Sequence, residues 1–196
     1  MRRDVKNESN YASIVCAQSA SGTANRALRR ERSRLSNGNS SLEAVGNVRA
    51  VVMRVASARV EIGDRVAGAI GAGLLVLLGV AAGDEIGDAR YIAGKVANLR
   101  ILRDDGGAMN RSLAERGGAV LVVSQFTLLG DARRGRRPSF VAAAPPELGR
   151  LLYERCVEEL KLLGLAVATG EFGATMRVAS VNDGPVTILL DSTKLL

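Results

Sequence analysis

The sequence predicts one mixed α+β domain in which strands outnumber helices about three to one. Three observations carry this. The chain has 196 residues, enough for one full-sized domain and too few for two. Its 47% apolar and 24% charged residues suit a packed core, and with aromatics at 3% that core must be filled by Ala, Val, Leu and Ile. From Val48 onward, short β-branched runs alternate with Gly, Asp and Pro turn signals, and only two stretches show helical periodicity.

Residues 1–47 are rich in Ser, Asn, Ala and Arg and lack sustained periodicity, so they read as a tail. They are too weakly apolar for a secretory signal, and their four acids weaken a transit-peptide reading. At Val48 the pattern turns strand-like: Val48 to Val55 is β-branched, Ala58 to Ile62 continues in kind, and Gly63-Asp64 signals the turn of a hairpin. Residues 66–83 hold no charge over 18 positions, the lower edge of a membrane helix. Gly68, Gly71, Gly73, Gly79 and Gly83 argue against a helix, whereas a strand, a Gly71-Ala72-Gly73 turn and a buried strand Leu74 to Leu78 explain the same residues. Gly71-x-Gly73 precedes a strand and lacks a third glycine, so it is not a dinucleotide loop.

Glu85 to Arg103 reads as an amphipathic helix, with Ile86, Ala89, Ala93, Val96, Ala97 and Leu99 or Arg100 at helical spacing and an Asp-Asp-Gly-Gly stop at 104–107. Ala119 to Leu128 reads as a buried strand. Pro145 and Pro146 open a second helix with the stripe Leu148, Leu151, Leu152, Cys156, Leu160 and Leu163, ended by Gly164. Strands Thr175 to Val181 and Val186 to Leu190 follow, separated by a turn Asn182-Asp183-Gly184-Pro185.

Composition narrows the chemistry. The chain contains no His, which removes the usual general base, the Ser-His and Cys-His nucleophile pairs and the commonest zinc ligand. Cys16 and Cys156 are far apart and without a CxxC, so neither a disulfide framework nor a thiolate metal cluster is expected, and Cys156 reads as a small buried apolar residue. The net charge is +7, but residues 1–47 hold eight basic against four acidic residues, and residues 48–196 hold 19 against 16. The body is therefore only mildly basic. Its densest cluster, Arg133, Arg134, Arg136 and Arg137 around Gly135, is either a solvated loop or a contact to a nucleic-acid backbone.

Two further places stand out. Ser124-Gln125-Phe126-Thr127 ends the apolar run Val120 to Val123, and strand periodicity would put Gln125 with Thr127 on one face and Ser124 with Phe126 on the other. These side chains either satisfy a strand end or line a site. Gly184-Pro185 is either an ordinary turn or a cis peptide that fixes where two carbonyl oxygens point. Spacing alone does not make either an enzyme site.

Taken together, the motifs resemble the D-aminoacyl-tRNA deacylase family over about three quarters of the chain, from Val48 to Ser192. The resemblance is carried by Ala50-Val51-Val52-x-Arg54-Val55, Gly73 to Val80, Lys95-Val96-x-Asn98-Leu99-Arg100-Ile101, Met109-Asn110, Val122 to Leu128, Arg137-Pro138-Ser139-Phe140 and Val181 to Thr187. It implies a homodimer of barrel-like, largely antiparallel β-sheet domains with flanking helices and an active site at the subunit interface. It implies hydrolysis of the ester of D-aminoacyl-tRNA, and of mischarged glycyl-tRNA, as a proofreading step in the cytoplasm, with no cofactor, metal, membrane or DNA involved. By the same resemblance Ser124, Gln125, Phe126 and Thr127 line the catalytic pocket, and Gly184-Pro185 matches a Gly-cisPro motif that enters the partner subunit's pocket and filters chirality. Arg133, Arg134, Arg136, Arg137 and Phe140 would meet the tRNA end by phosphate contact and stacking.

The chain departs from the family pattern at Met53, where Gln is usual, and at Ala179-Ser180, where Ser-Leu is usual; these touch fine positioning and not the two defining motifs. Family members generally begin at the position of Val48, so residues 1–47 divide between an over-extended gene start at a GTG codon, a genuine disordered basic tail and a targeting peptide. Two alternatives compete with the main reading: a related deacylase with a trans Gly-Pro unit acting on small L-amino acids, and a non-catalytic tRNA-binding protein of the same fold.

Overall fold

In this computed structural model residues 47–194 are described, so the tail readings for residues 1–46 lie outside the described residues. The β-branched run after Val48 forms one long strand, β1 (Arg49–Ile62), and Gly63, at φ +58°, turns the chain into β2 (Arg65–Ile70) as the Gly-Asp signal predicts. β3 (Gly73–Gly79) follows the expected Gly-Ala-Gly bend. β1 is the spine of the sheet. Its C-terminal half pairs antiparallel with β2, its N-terminal half with β3, and its other edge along nearly its whole length with β8 (Arg177–Asp191). Beyond β3 lie β6 (Ala119–Ser124) and β7 (Ala166–Thr169), both added in parallel. The barrel-like sheet is antiparallel at every pairing of β1 and parallel at β3-β6-β7.

Gly68 of β2 shows how the barrel closes. A Cβ there would run into the carbonyl of Thr169 in β7, so the first and last strands of the sheet approach as closely as a glycine permits.

The uncharged run Leu74 to Leu78 is apolar throughout because β3 is covered on both faces. Leu74, Val76 and Leu78 point, with Ala50, Val52, Val120 and Val122, to the helices α1 (Ile86–Asn98) and α3 (Pro146–Leu162). Leu75 points the other way, into the barrel with Val55, Val60, Leu121 and Val123. Each such side chain contributes about 1.5–3 kcal/mol of burial before entropy is counted. Tyr153 of α3 reaches the sheet and donates its hydroxyl to the Val122 carbonyl at 2.9 Å. Cys156 is fully buried, and burial pushes its thiol up to about 12, so it is the inert apolar residue the sequence predicts.

The structure corrects several expectations. The first helix ends at Asn98, not Arg103: Leu99 turns to extended backbone (ψ 120°), and Leu102–Arg103 forms β4, paired with β5 (Met109–Arg111). The Asp-Asp-Gly-Gly run is therefore the turn of a small hairpin, in which the Asp104 carboxylate accepts from the Gly106 and Ala108 N–H groups at 3.0 Å. Its short strands, the four-residue α2 (Leu113–Arg116) and β7 carry too few residues for periodicity to register. In α3, Leu151 and Leu163 are exposed while Tyr153 and Val157 take core positions, and in α1 Ile92 is buried while Ile86 is exposed. The strand expected to reach Leu128 stops at Ser124, and the two C-terminal strands are one, β8, with Gly184-Pro185 inside it. No helix among the described residues is long and apolar enough to cross a membrane.

Candidate functional site

The polar motif Ser124 to Thr127 occupies the end of β6, where Leu78 is the last residue of β3 to pair with that strand. Ser124 pairs with Leu78, the Gln125 N–H donates to the Leu78 carbonyl at 2.7 Å, and the chain then winds into a 3-10 turn over Phe126–Leu129. Gly79 makes this possible: a Cβ there would stand 2.6 Å from Leu129 Cδ2 and 2.8 Å from the Gln125 carbonyl. Because the strand has ended, the alternation expected for Gln125 and Thr127 does not apply. The two side chains meet by winding, and the Gln125 amide donates to the Thr127 hydroxyl.

The turn is held from outside as well. Arg49 Nη1 donates to the Leu128 carbonyl at 3.0 Å, and Leu129 is buried with Ala81 and Ala143. Ser124, Gln125 and Phe126 are half-buried and Thr127 is exposed. The Thr127 N–H, at the start of a turn where main-chain donors have no partner of their own, meets no acceptor among the described residues. Nor does a carboxylate or amine touch the Thr127 hydroxyl there.

The arginine cluster follows directly. Asp131 and Ser139 exchange main-chain hydrogen bonds of 2.7 and 2.9 Å and tie off the loop, which Gly135 turns at φ +81°. Arg133 grips Asp131 through both carboxylate oxygens, at 2.8 and 2.7 Å, which holds the Asp131 carboxyl far below the usual carboxylate range. Arg134, Arg136 and Arg137 are exposed, and Phe140 is half-buried against Phe126. A cavity of about 820 Å³ lies between this loop and the start of β1, bordered by Arg49, Gly130, Asp131, Arg133 and Val141.

Gly184-Pro185 is a cis peptide, and it lies in an outward excursion of β8 and not in a turn between strands. Met53 pairs with Thr187 and Val55 with Asn182, so the residues 183–186 stand opposite Arg54 alone. The excursion is closed by the Asn182 side chain, whose Oδ1 accepts from the Val186 N–H at 2.8 Å and whose Nδ2 donates to the Thr187 hydroxyl at 2.9 Å. Gly184 takes φ +136°, and with Pro185 it is exposed.

Arg54 is the residue that sequence reasoning missed. It was visible as a charge inside the apolar run Ala50 to Val55, and it is 4% exposed. Its guanidinium fills the space beneath the excursion, donating from Nε to the Asp183 carbonyl at 2.9 Å and from Nη1 to the Ile101 carbonyl at 2.7 Å. Asp183 also answers its charge at 3.1 Å. A smaller cavity of about 200 Å³, bordered by Arg54, Arg103, Arg116 and Asp183, opens beside it.

Within one chain the two motifs stand apart. Arg54, which carries the Gly184 excursion, pairs with Leu74, and Ser124 pairs with Leu78; the two levels are roughly 13 Å apart along β3 at about 3.3 Å per residue. The arginine loop, by contrast, adjoins the Ser124 motif directly. Among the described residues no three His, Cys, Asp or Glu side chains converge to hold a metal ion.

The described geometry coincides with that of known proteins. A family model, D-Tyr-tRNA(Tyr) deacylase, matches residues 51–191. The chain is 62% identical over 145 residues to a D-aminoacyl-tRNA deacylase of Roseiflexus sp. (strain RS-1), covering 74% of this chain and 94% of that one. To the D-aminoacyl-tRNA deacylase of Thermotoga petrophila it is 57% identical over 148 residues, covering 76% and 99%. Among solved structures, a c-Myc DNA unwinding element binding protein superimposes with a TM-score of 0.68 at 38% identity, over 72% of this chain and 97% of that one. A probable eukaryotic D-amino acid tRNA deacylase gives a TM-score of 0.65 at 18% identity, over 74% and 99%, a likeness of fold.

Proposed function

We propose a mechanism and an assembly from one premise: the chain belongs to the D-Tyr-tRNA(Tyr) deacylase family and is a hydrolase that cleaves the ester of D-aminoacyl-tRNA. The observation that carries the mechanism is the 3-10 turn at Phe126–Leu129, whose Thr127 N–H meets no acceptor among the described residues and sits beside a hydroxyl that no carboxylate or amine touches there.

The aminoacyl ester lies across Ser124 to Thr127. A water oxygen attacks the ester carbonyl carbon, and the oxyanion that forms is stabilised by main-chain N–H groups of the turn. Collapse breaks the bond to the ribose oxygen, and the proton lost by the water passes to that oxygen by way of the neighbouring ribose hydroxyl. The products are free D-amino acid and tRNA. With no His in the chain, rate comes from positioning and from fixed dipoles. Thr127 is not the nucleophile in this reading: its hydroxyl accepts from Gln125, and nothing beside it takes its proton.

Selection of the D enantiomer rests on Gly184 and Pro185. Their carbonyl oxygens accept the substrate α-ammonium, and the space left beside the α-carbon holds no L side chain. Glycine, with nothing to exclude, also enters, so glycyl-tRNA is a second substrate. Since the two motifs are separated along β3 within one chain, a second copy supplies Gly184-Pro185 to the Ser124 pocket. The protein works as a homodimer. β8 supports this, because among the described residues it pairs only with β1 and exposes Val178, Val181 and Leu189. Arg134, Arg136 and Arg137 hold phosphates of the tRNA end, while Arg133 is first committed to Asp131. The reaction belongs to the cytoplasm, where aminoacyl-tRNA is used.

The test is parallel incubation with D-tyrosyl-tRNA and L-tyrosyl-tRNA. Loss of the D ester alone is expected; loss of both would overturn the role of Gly184-Pro185.

A further inference from the structure

Phe140 closes the arginine loop, and its ring does not stand out toward solvent as a stacking platform would. It meets Phe126 edge to face, with centroids 5.2 Å apart and planes at 71°. The same ring covers Gly130, where a Cβ would come within 3.0 Å of Phe140 Cε1. Phe126 opens the 3-10 turn, and Gly130 closes it by donating its N–H to the Thr127 carbonyl at 3.0 Å. One ring therefore touches both ends of the segment whose main chain faces the ester. Its own backbone is fixed independently. Ser139, the preceding residue, is bonded on both sides to Asp131, and the Phe140 carbonyl accepts from the Ala143 N–H at 3.0 Å.

We propose that Phe140 is a positioning residue for the reaction, a clamp that sets the direction of the main-chain donors of the Phe126–Leu129 turn, and not a stacking contact for a tRNA base. The proposal rests on the reading above that those donors stabilise the oxyanion. Arg49 and Leu129 hold the far end of the turn, so loss of the ring would free its Phe126 end and the Gly130 backbone that the ring now covers. Donors displaced by even a fraction of an ångström lose much of their effect on the transition state and little of the binding that the rest of the tRNA supplies.

The experiment is steady-state hydrolysis of D-tyrosyl-tRNA by Phe140→Leu and Phe140→Tyr. Leu should lower kcat roughly ten- to a hundredfold with KM within about twofold, and Tyr, which keeps the ring, should restore kcat. A rise in KM with kcat kept would assign Phe140 to the tRNA end and overturn the proposal, as would unchanged kinetics in Phe140→Leu. Should Phe140→Leu fail to fold, Phe140→Met decides: it fills the space without the flat edge that meets Phe126, and it must show the same loss in kcat alone. Failure of the underlying mechanism looks different, because Thr127→Ala would then abolish turnover whatever the Phe140 variants do.

Discussion

Arg54 lies directly beneath Gly184: a Cβ on Gly184 would stand 2.9 Å from Arg54 Nη2 and 2.8 Å from Val186 Cγ2. A buried guanidinium thus supports the exposed excursion from within, and the residue above it must be a glycine both for its φ of +136° and for lack of room. The charge is balanced by Asp183, itself half exposed and also 3.8 Å from Arg103.

Replacing Arg54 by methionine keeps the stem and removes every donor. The carbonyls of Asp183 and Ile101 would each lose a partner, at about 1–3 kcal/mol for an unsatisfied buried group, the lower figure applying to the more exposed Asp183. Urea denaturation should show this loss. Hydrolysis of D-tyrosyl-tRNA should fall in parallel, since Asp183 immediately precedes Gly184. Full activity in Arg54→Met would mean that Asn182 alone holds the excursion.

How far the sequence could be read depends on where its signals came from. Continuous apolar runs such as Leu74 to Leu78 identify strands buried on two faces, and the 3.6-residue spacing in α1 and α3 identifies helices packed on one. Gly184-Pro185 misled because Asn-Asp-Gly-Pro is a turn signal taken locally, whereas 11 residues of β1, from Arg49 to Glu61, pair across it and keep β8 whole. The end of β6 was missed for a similar reason. Phe126, Leu128 and Leu129 continue the apolar run, and only the pairing edge of β3, which ends at Gly79, stops the strand. Arg54 was legible as an anomaly, but its partners lie 47 and 129 residues away, beyond any local pattern.

Main-chain catalysis makes opposite predictions for two substitutions at one site. Thr127→Ala removes the hydroxyl and keeps the N–H, so kcat should stay within about tenfold of the parent. Thr127→Pro removes the N–H at a first-turn position that tolerates proline, and should cost on the order of a hundred- to a thousandfold. Single-turnover assays with D-tyrosyl-tRNA distinguish the two. A dead Thr127→Ala with a folded chain would restore the hydroxyl as nucleophile.

Asp84 carries a pH dependence unrelated to the reaction. Its Oδ2 accepts from the Ala81 N–H at 2.5 Å, and burial, which outweighs the backbone donors around it, pushes its carboxyl up to about 6. The folded state therefore holds the proton more tightly than the unfolded chain, whose value is near 3.8. Across that window this group's contribution to stability falls as pH rises, and above about 6 the penalty is complete. Asp84→Asn should remove the slope. Urea midpoints of parent and variant, taken from about pH 4 to about pH 8, should diverge on this account only within that window.

A site shared between subunits can be tested without seeing the dimer. Thr127→Pro leaves Gly184-Pro185 intact, and Gly184→Val, which places a branched side chain at φ +136° against Arg54 and Val186, leaves the turn at Phe126 intact. Each homodimer should be inactive. Mixed in equal amounts and allowed to exchange, half of the dimers carry one of each chain, and each of these has one pocket with both motifs sound and one with both damaged. Activity should then return to about a quarter of the parent level. Within a single chain the two lesions would be independent, and mixing would restore nothing. That outcome would require the levels of Leu74 and Leu78 on β3 to be bridged inside one subunit, contrary to the separation seen along the strand.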